Sequence, residues 1–183
     1  LQNIERIVAY VLRFVAGARR SPELRSGHLS SIELHKALLV LVKLVQTQVF
    51  IEDIVRIQNN KSCSKPLRKL CPFVDQDGIL RVGGRLSNSA LRYDQKHPLL
   101  LPRKHRLTDL IIEDCHRQNL HPGLRTMHFL LAQKFWILSA RRAIRTCLSQ
   151  CNCCFRVKPV NLQPVMGNLP DTRVTQLKAF QCS

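Results

Sequence analysis

Apolar residues recur at Ile4, Val8, Val11, Leu12 and Val15, so the spacing predicts an amphipathic helix over Ile4–Ala16. Gly17 and the basic stretch Ala18–Arg25 read as a loop. Ser30, with Glu33 three residues on, has the spacing of a capping box. A long helix is expected to follow over Ser31–Gln48, able to resume through Ile57, with Leu34, Ala37, Leu38, Leu41, Leu44 and Val45 on one face. Asn59–Pro66 is polar and turn-rich and marks a boundary. The period then shortens. Asp77-Gly78 between apolar residues, then Ile79–Val82 and Gly83-Gly84, predict a short hairpin or meander, and His97–Pro102 reads as one more short strand limited by its prolines. From Thr108 the helical period returns. Thr108 is placed to cap a helix over Asp109–Gln118, His121-Pro122-Gly123 breaks it, Leu124–Phe135 forms a second helix closed by Trp136, and Ser139 is placed to cap a third over Ala140–Leu148. Three prolines after Val157 favour an extended tail.

The fold class expected is therefore mainly α with a small β element. A helical connecting segment (1–60) leads to a β-containing extension (66–106), then a three-helix bundle (107–158) and an extended tail (159–183). Hydrophobic residues make up 45% of the chain, enough for a packed core. No apolar run approaches the roughly 18 residues of a membrane span, and the N-terminus lacks the marks of a secretory signal. An intracellular setting, nucleus or cytoplasm, is expected. The net charge of +17 points to a polyanionic partner. The charge is concentrated: from Cys115 onward ten Lys or Arg face one acid, Asp171. A basic solvated surface would show the same composition, so charge alone leaves both readings open.

Eight cysteines in a reducing compartment argue against a disulfide framework, and four of them crowd between Cys147 and Cys154. His116-x4-His121, 29 residues, then Cys151-x2-Cys154 form a ligand pattern suited to Zn2+, which accepts tetrahedral nitrogen and sulfur donors. His116 would close one helix, His121 would follow it in a loop turned by Pro122 and Gly123, and the paired cysteines would follow the third helix. A bundle this small has little core, and structural zinc contributes about 10–16 kcal/mol of binding energy in comparable peptides. A redox CxxC expects a strand before it and a helix after it, whereas this one follows a helix. Cys153 lies between the proposed ligands and exchange with one of them stays open. Cys115 and Cys147 read as buried thiols.

His-x4-His followed by Cys-x2-Cys at this separation resembles the zinc-binding N-terminal domain of retroelement and retroviral integrases. GILRVGGRL (78–86), YDQKHPLLLP (93–102), LTDLIIEDCHRQNLHPG (107–123), FWIL (135–138), CNCCFRVKP (151–159) and MGNLPDTRV (166–174) are similar to the polyprotein of BEL/Pao-type retrotransposons. The resemblance spans about residues 66–180. It implies a small zinc-organised helical bundle that helps integrase subunits associate and assists binding of DNA ends. Arg141, Arg142, Arg145, Arg156 and Lys158 would neutralise phosphates, although a solvated helix face explains them equally. Partners implied are DNA, a second copy of the chain or an integrase core domain. In that family an RNase H-like core with three metal-binding carboxylates follows, about where this chain stops, and two-metal chemistry needs such paired carboxylates. After Asp114 only Asp171 remains. The expectation is a non-enzymatic module: a fragment, a degraded copy or a host gene made from one. A protein-interaction or oligomerisation module with incidental charge is the alternative. Asp75-Gln-Asp77-Gly78 begins like a calcium loop, but Leu86 stands at the twelfth position where a Glu is required, so it reads as a turn.

Overall fold

The computed structural model describes residues 1–19, 27–84, 89–157, 166–170 and 173. The Ala18–Arg25 loop lies mostly outside that set, as do Lys158 and most of the tail.

The chain is mainly helical with a small sheet. Helix α1 (Gln2–Ala18) packs along α2 (Ser31–Gln58). The expected capping box forms, with Glu33 N–H donating to Ser30 Oγ and Ser30 N–H donating to Glu33 Oε2. Arg13 of α1 reaches the same carboxylate at 2.9 Å and ties the two helices together. Helix α2 runs through Gln58 with a kink at Phe50, whose backbone is non-helical (φ −117°, ψ 21°). The break falls where the helix passes from one hydrophobic core, which takes Val42 and Val45, to a second, which takes Phe50 and Ile54.

The expected α2 face needs correction. Leu44 is 62% exposed, and Gln46 is fully buried. Gln46 donates Nε2–H to the carbonyls of Leu80 and Leu100, both at 2.8 Å, and accepts from Leu80 N–H at 2.7 Å. It joins the helix to the sheet through the backbone groups of two strands. On a helical wheel Gln46 reads as a solvent position; only the sheet beneath makes it interior.

After the short α3 (Lys65–Arg68), the sheet has strand order β1 (Pro72–Val74), β2 (Leu80–Val82), β3 (Leu99–Leu101), β4 (Phe135–Ile137). The first three are antiparallel, as the predicted hairpin and HPLLLP strand require. Gly78, at φ +74°, supplies the turn, and Asp75 accepts from the N–H groups of Asp77 and Ile79, so this loop is a turn closed on itself. Arg81 is buried and bridges Asp75 (2.6 Å), Asp94 (3.0 Å) and the His97 carbonyl (2.9 Å), holding the hairpin against α4 (Tyr93–Lys96). Strand β4 was not expected. The second C-terminal helix stops at Ala132, and Phe135–Ile137 pairs parallel to β3 with Leu100 opposite Trp136. Phe135 and Ile137 point into the core, and three residues at period two are indistinguishable from a helix end by sequence.

Helices α5 (Arg106–Gln118), α6 (Leu124–Ala132) and α7 (Ala140–Ser149) pack pairwise into the expected three-helix bundle. Two caps differ from expectation. His105, not Thr108, caps α5, its Nδ1 accepting from Leu107 N–H. Thr108 is buried one turn in and donates its hydroxyl to the Pro102 carbonyl. Ser139 precedes α7 in a left-handed conformation (φ 55°) and makes no side-chain cap. The main core gathers Val42 and Val45, Ile79, Leu99 and Leu101, and Ile112, Met127, Leu131 and Ile144. Side chains from segments 1–60, 66–106 and 107–158 thus meet in one interior, and a fully buried Ile such as Ile144 stabilises by about 1.5–3 kcal/mol.

Candidate metal centre

Helix α5 buries Thr108, Ile112 and His116 at four-residue spacing, which carries the His116 imidazole onto the core face of the last turn at 3% exposure. The helix then closes by a Schellman arrangement. His121 N–H donates to the His116 carbonyl at 2.9 Å and Leu120 N–H to the Arg117 carbonyl at 3.3 Å. Leu120 and His121 are both left-handed, φ 57° and 59°. A non-glycine residue in that region costs about 1–2 kcal/mol. Two in succession mark a backbone held there by its surroundings. The turn joining the histidines is therefore made by Leu120 and His121, one step before the expected Pro122-Gly123. Gly123 has an ordinary negative φ and starts α6.

The thiols come from the far end of the bundle. Cys151 N–H donates to the Leu148 carbonyl at the end of α7, and the Cys151 carbonyl accepts from Phe155 N–H. Cys151 thus caps the short α8 (Asn152–Val157), and Cys154 lies in its first turn. The Cys154 backbone N–H, aimed at the Cys151 sulfur, pulls that thiol's pKa down. Burial, then the neighbouring His121 and Arg117, pull the His116 pKa down and favour the neutral ring. Both shifts favour the protonation state that a metal takes.

His116 Nε2 and His121 Nδ1 are 2.9 Å apart. Cys151 Sγ is 3.3 Å from His121 Nδ1, and Cys154 Sγ is 3.3 Å from His116 Nε2 and 4.0 Å from His121 Nδ1. All four donor atoms lie within 4.8 Å of one another. Tetrahedral zinc with Zn–N and Zn–S bonds of about 2.0–2.3 Å sets its ligand atoms about 3.3–3.8 Å apart. The imidazole pair, at 2.9 Å, is slightly closer than that. The four groups are arranged to bind one metal ion. Two thiolates and two neutral imidazoles suit Zn2+ and cancel its charge. His116 Nδ1 is buried with no hydrogen-bond partner among the described residues, where a metal-bound histidine commonly has an acceptor to orient it.

Residues 103–160 match the integrase zinc binding domain family. No curated protein and no solved structure matches the chain. The match includes all four metal-centre residues and all of α5–α8.

The other cysteines stand apart. Cys153 is exposed and outside the donor group. Burial pushes the Cys147 thiol up to about 11, assisted by Glu113, Cys151 and Asp109, and burial and Asp114 push Cys115 up. Both thiols hold their protons. The arginines divide into two places. Arg141 and Arg142 line a groove beside Trp136, whereas Arg145 lines another with Leu120, His121 and Phe155. Arg141, Arg142, Arg145 and Arg156 are all exposed and make no ion pair among the described residues. No helix among the described residues is long and apolar enough to cross a membrane.

Proposed function

We propose that the chain is an integrase-derived module, of BEL/Pao retrotransposon type, in which zinc held by His116, His121, Cys151 and Cys154 orders a nucleic-acid-binding surface. The observation that supports this reading is the set of exposed arginines on α7 and α8 with no ion-pair partner among the described residues, of which Arg145 borders the groove that includes His121 and Cys154. Arg141, Arg142, Arg145 and Arg156, with Lys158 beyond the described residues, contact DNA phosphates. Residues 107–158 form the metal-binding unit, seated on the helical segment 1–60 and the β extension 66–106. The chain works inside the cell, in nucleus or cytoplasm, and carries no strand-transfer activity of its own.

The test is fluorescence anisotropy of a labelled DNA duplex with the zinc-loaded chain across a salt series. Five phosphate contacts predict a log–log slope near −4.5, roughly a five-hundredfold loss of affinity between 50 and 200 mM salt. Chelation should abolish binding. Salt-insensitive binding, or none, would refute the reading.

One observation favours assembly as a second role. Helix α1 buries Ala9, half-buries Leu12 and leaves Ile4, Ile7, Val11 and Phe14 outside at alternating three- and four-residue spacing, with Phe14 76% exposed. Such a stripe suits a helix of a second copy or of an integrase core. Sedimentation equilibrium should show self-association that Phe14→Glu weakens; a monomer at all concentrations would rule out the second copy.

A further inference from the structure

Trp136 is the single tryptophan of the chain. It stands 41% exposed on β4, between buried Phe135 and Ile137. A residue of this size on the outward side of a three-residue edge strand contributes little to the core. Its indole borders an open groove of about 470 Å³ whose other walls include His128 and Ala132 of α6 and Ser139, Arg141 and Arg142 at the start of α7. Among the described residues no carboxylate lines this groove. Neither arginine has an ion-pair partner among the described residues, so both guanidinium groups are available. Ser139, which precedes α7, makes no side-chain cap and lines the same groove, so the positive end of α7 borders it.

Three features coincide: an exposed aromatic face, two unpaired guanidiniums and a positive helix end. A simple anion makes no use of the indole. An apolar peptide makes no use of the cations. Duplex DNA keeps its base faces stacked and offers the groove only phosphates. A nucleotide in an unpaired strand offers a base face and an adjacent phosphate together. We propose that the groove between α6, β4 and the start of α7 binds single-stranded nucleic acid, with a base stacked on Trp136 and the neighbouring phosphate held by Arg141 and Arg142. The proposal rests on the nucleic-acid reading above and adds a strand preference and a stacking residue to it.

Because Trp136 is alone of its kind, its emission reports on the groove directly. Zinc-loaded full chain is titrated with (dT)12 and with a 12-base-pair duplex, following tryptophan emission and, in parallel, anisotropy of labelled strands. Saturable quenching by (dT)12 is expected. Trp136→Leu should weaken (dT)12 binding about tenfold while leaving duplex affinity within about twofold, and Trp136→Phe should restore most of the loss. Arg141→Gln with Arg142→Gln should reduce the single-strand salt slope by about 1.4. Emission unchanged at saturating (dT)12, or equal losses for single strand and duplex in Trp136→Leu, would overturn the proposal. Emission that shifts with protein concentration alone would assign the groove to a protein contact and overturn it too. Duplex binding with silent tryptophan would sink this inference alone; absence of binding to either strand form would sink the underlying nucleic-acid reading as well.

Discussion

Replacing Leu120 with glycine reverses the usual sign of such a substitution. In an exposed helix interior Leu→Gly costs about 0.8–1 kcal/mol. Leu120 instead lies just past the C-cap of α5 at φ 57°, where a side chain costs about 1–2 kcal/mol and glycine nothing. Two terms oppose the relief. Glycine gains about 0.5–1 kcal/mol of freedom in the unfolded chain. The leucine side chain, 88% exposed, gives up only about 0.3 kcal/mol of burial. The balance is a stabilisation of about 0.5 kcal/mol, or a rise in melting temperature of about 1–2 °C for a chain of this length. Leu120→Ala keeps the strained φ and loses the same contact, so it should be destabilised by a few tenths of a kcal/mol. Urea unfolding followed at 222 nm, with zinc present throughout, separates the three chains. A Leu120→Gly protein less stable than Leu120→Ala would mean that the turn carrying His121 is not strained as described.

Gln46→Leu should cost about 2–4 kcal/mol, because it leaves backbone groups of Leu80 and Leu100 buried without their side-chain partner; a change under 1 kcal/mol in urea unfolding would show the sheet needs no such tie. Arg13, then Ser30, hold the Glu33 carboxylate at a pKa of about 2 instead of the usual 4.5, so its contribution is present above pH 4.5 and is lost as pH falls toward 2. Glu33→Gln should flatten the fall in melting temperature across that window, and an unaltered pH profile would contradict the Arg13–Glu33 tie. Cys151→Ser and His121→Ala should each abolish stoichiometric zinc, whereas Cys153→Ser and Cys147→Ser should retain it; metal analysis showing the reverse would reassign the ligands.

The helices were legible because their faces repeat over ten or more residues and Ser30 and Glu33 stand at capping-box spacing. The four donor residues were legible because zinc imposes chemistry and short spacings that few other functions share. What was hidden depends on contacts distant in sequence. Gln46 is interior only because Leu80 and Leu100 lie beneath it. Strand β4 exists because β3 (Leu99–Leu101) offers it an open edge, and nothing in Phe135-Trp136-Ile137 alone tells strand from helix end. Arg81 is a charge within a strand whose burial depends on Asp75 and Asp94, six and thirteen residues away. The turn between the two histidines was misplaced because a Schellman closure usually announces itself with glycine, and here leucine and histidine take that conformation.

Zinc-edge X-ray absorption on the full chain probes the centre most directly. One ion per chain, with two nitrogen scatterers at about 2.0–2.1 Å and two sulfurs at about 2.3 Å, is the expected first shell. A chain that binds no stoichiometric zinc, or a shell holding three or more sulfurs, would contradict the joining of His116 and His121 to Cys151 and Cys154 around one ion.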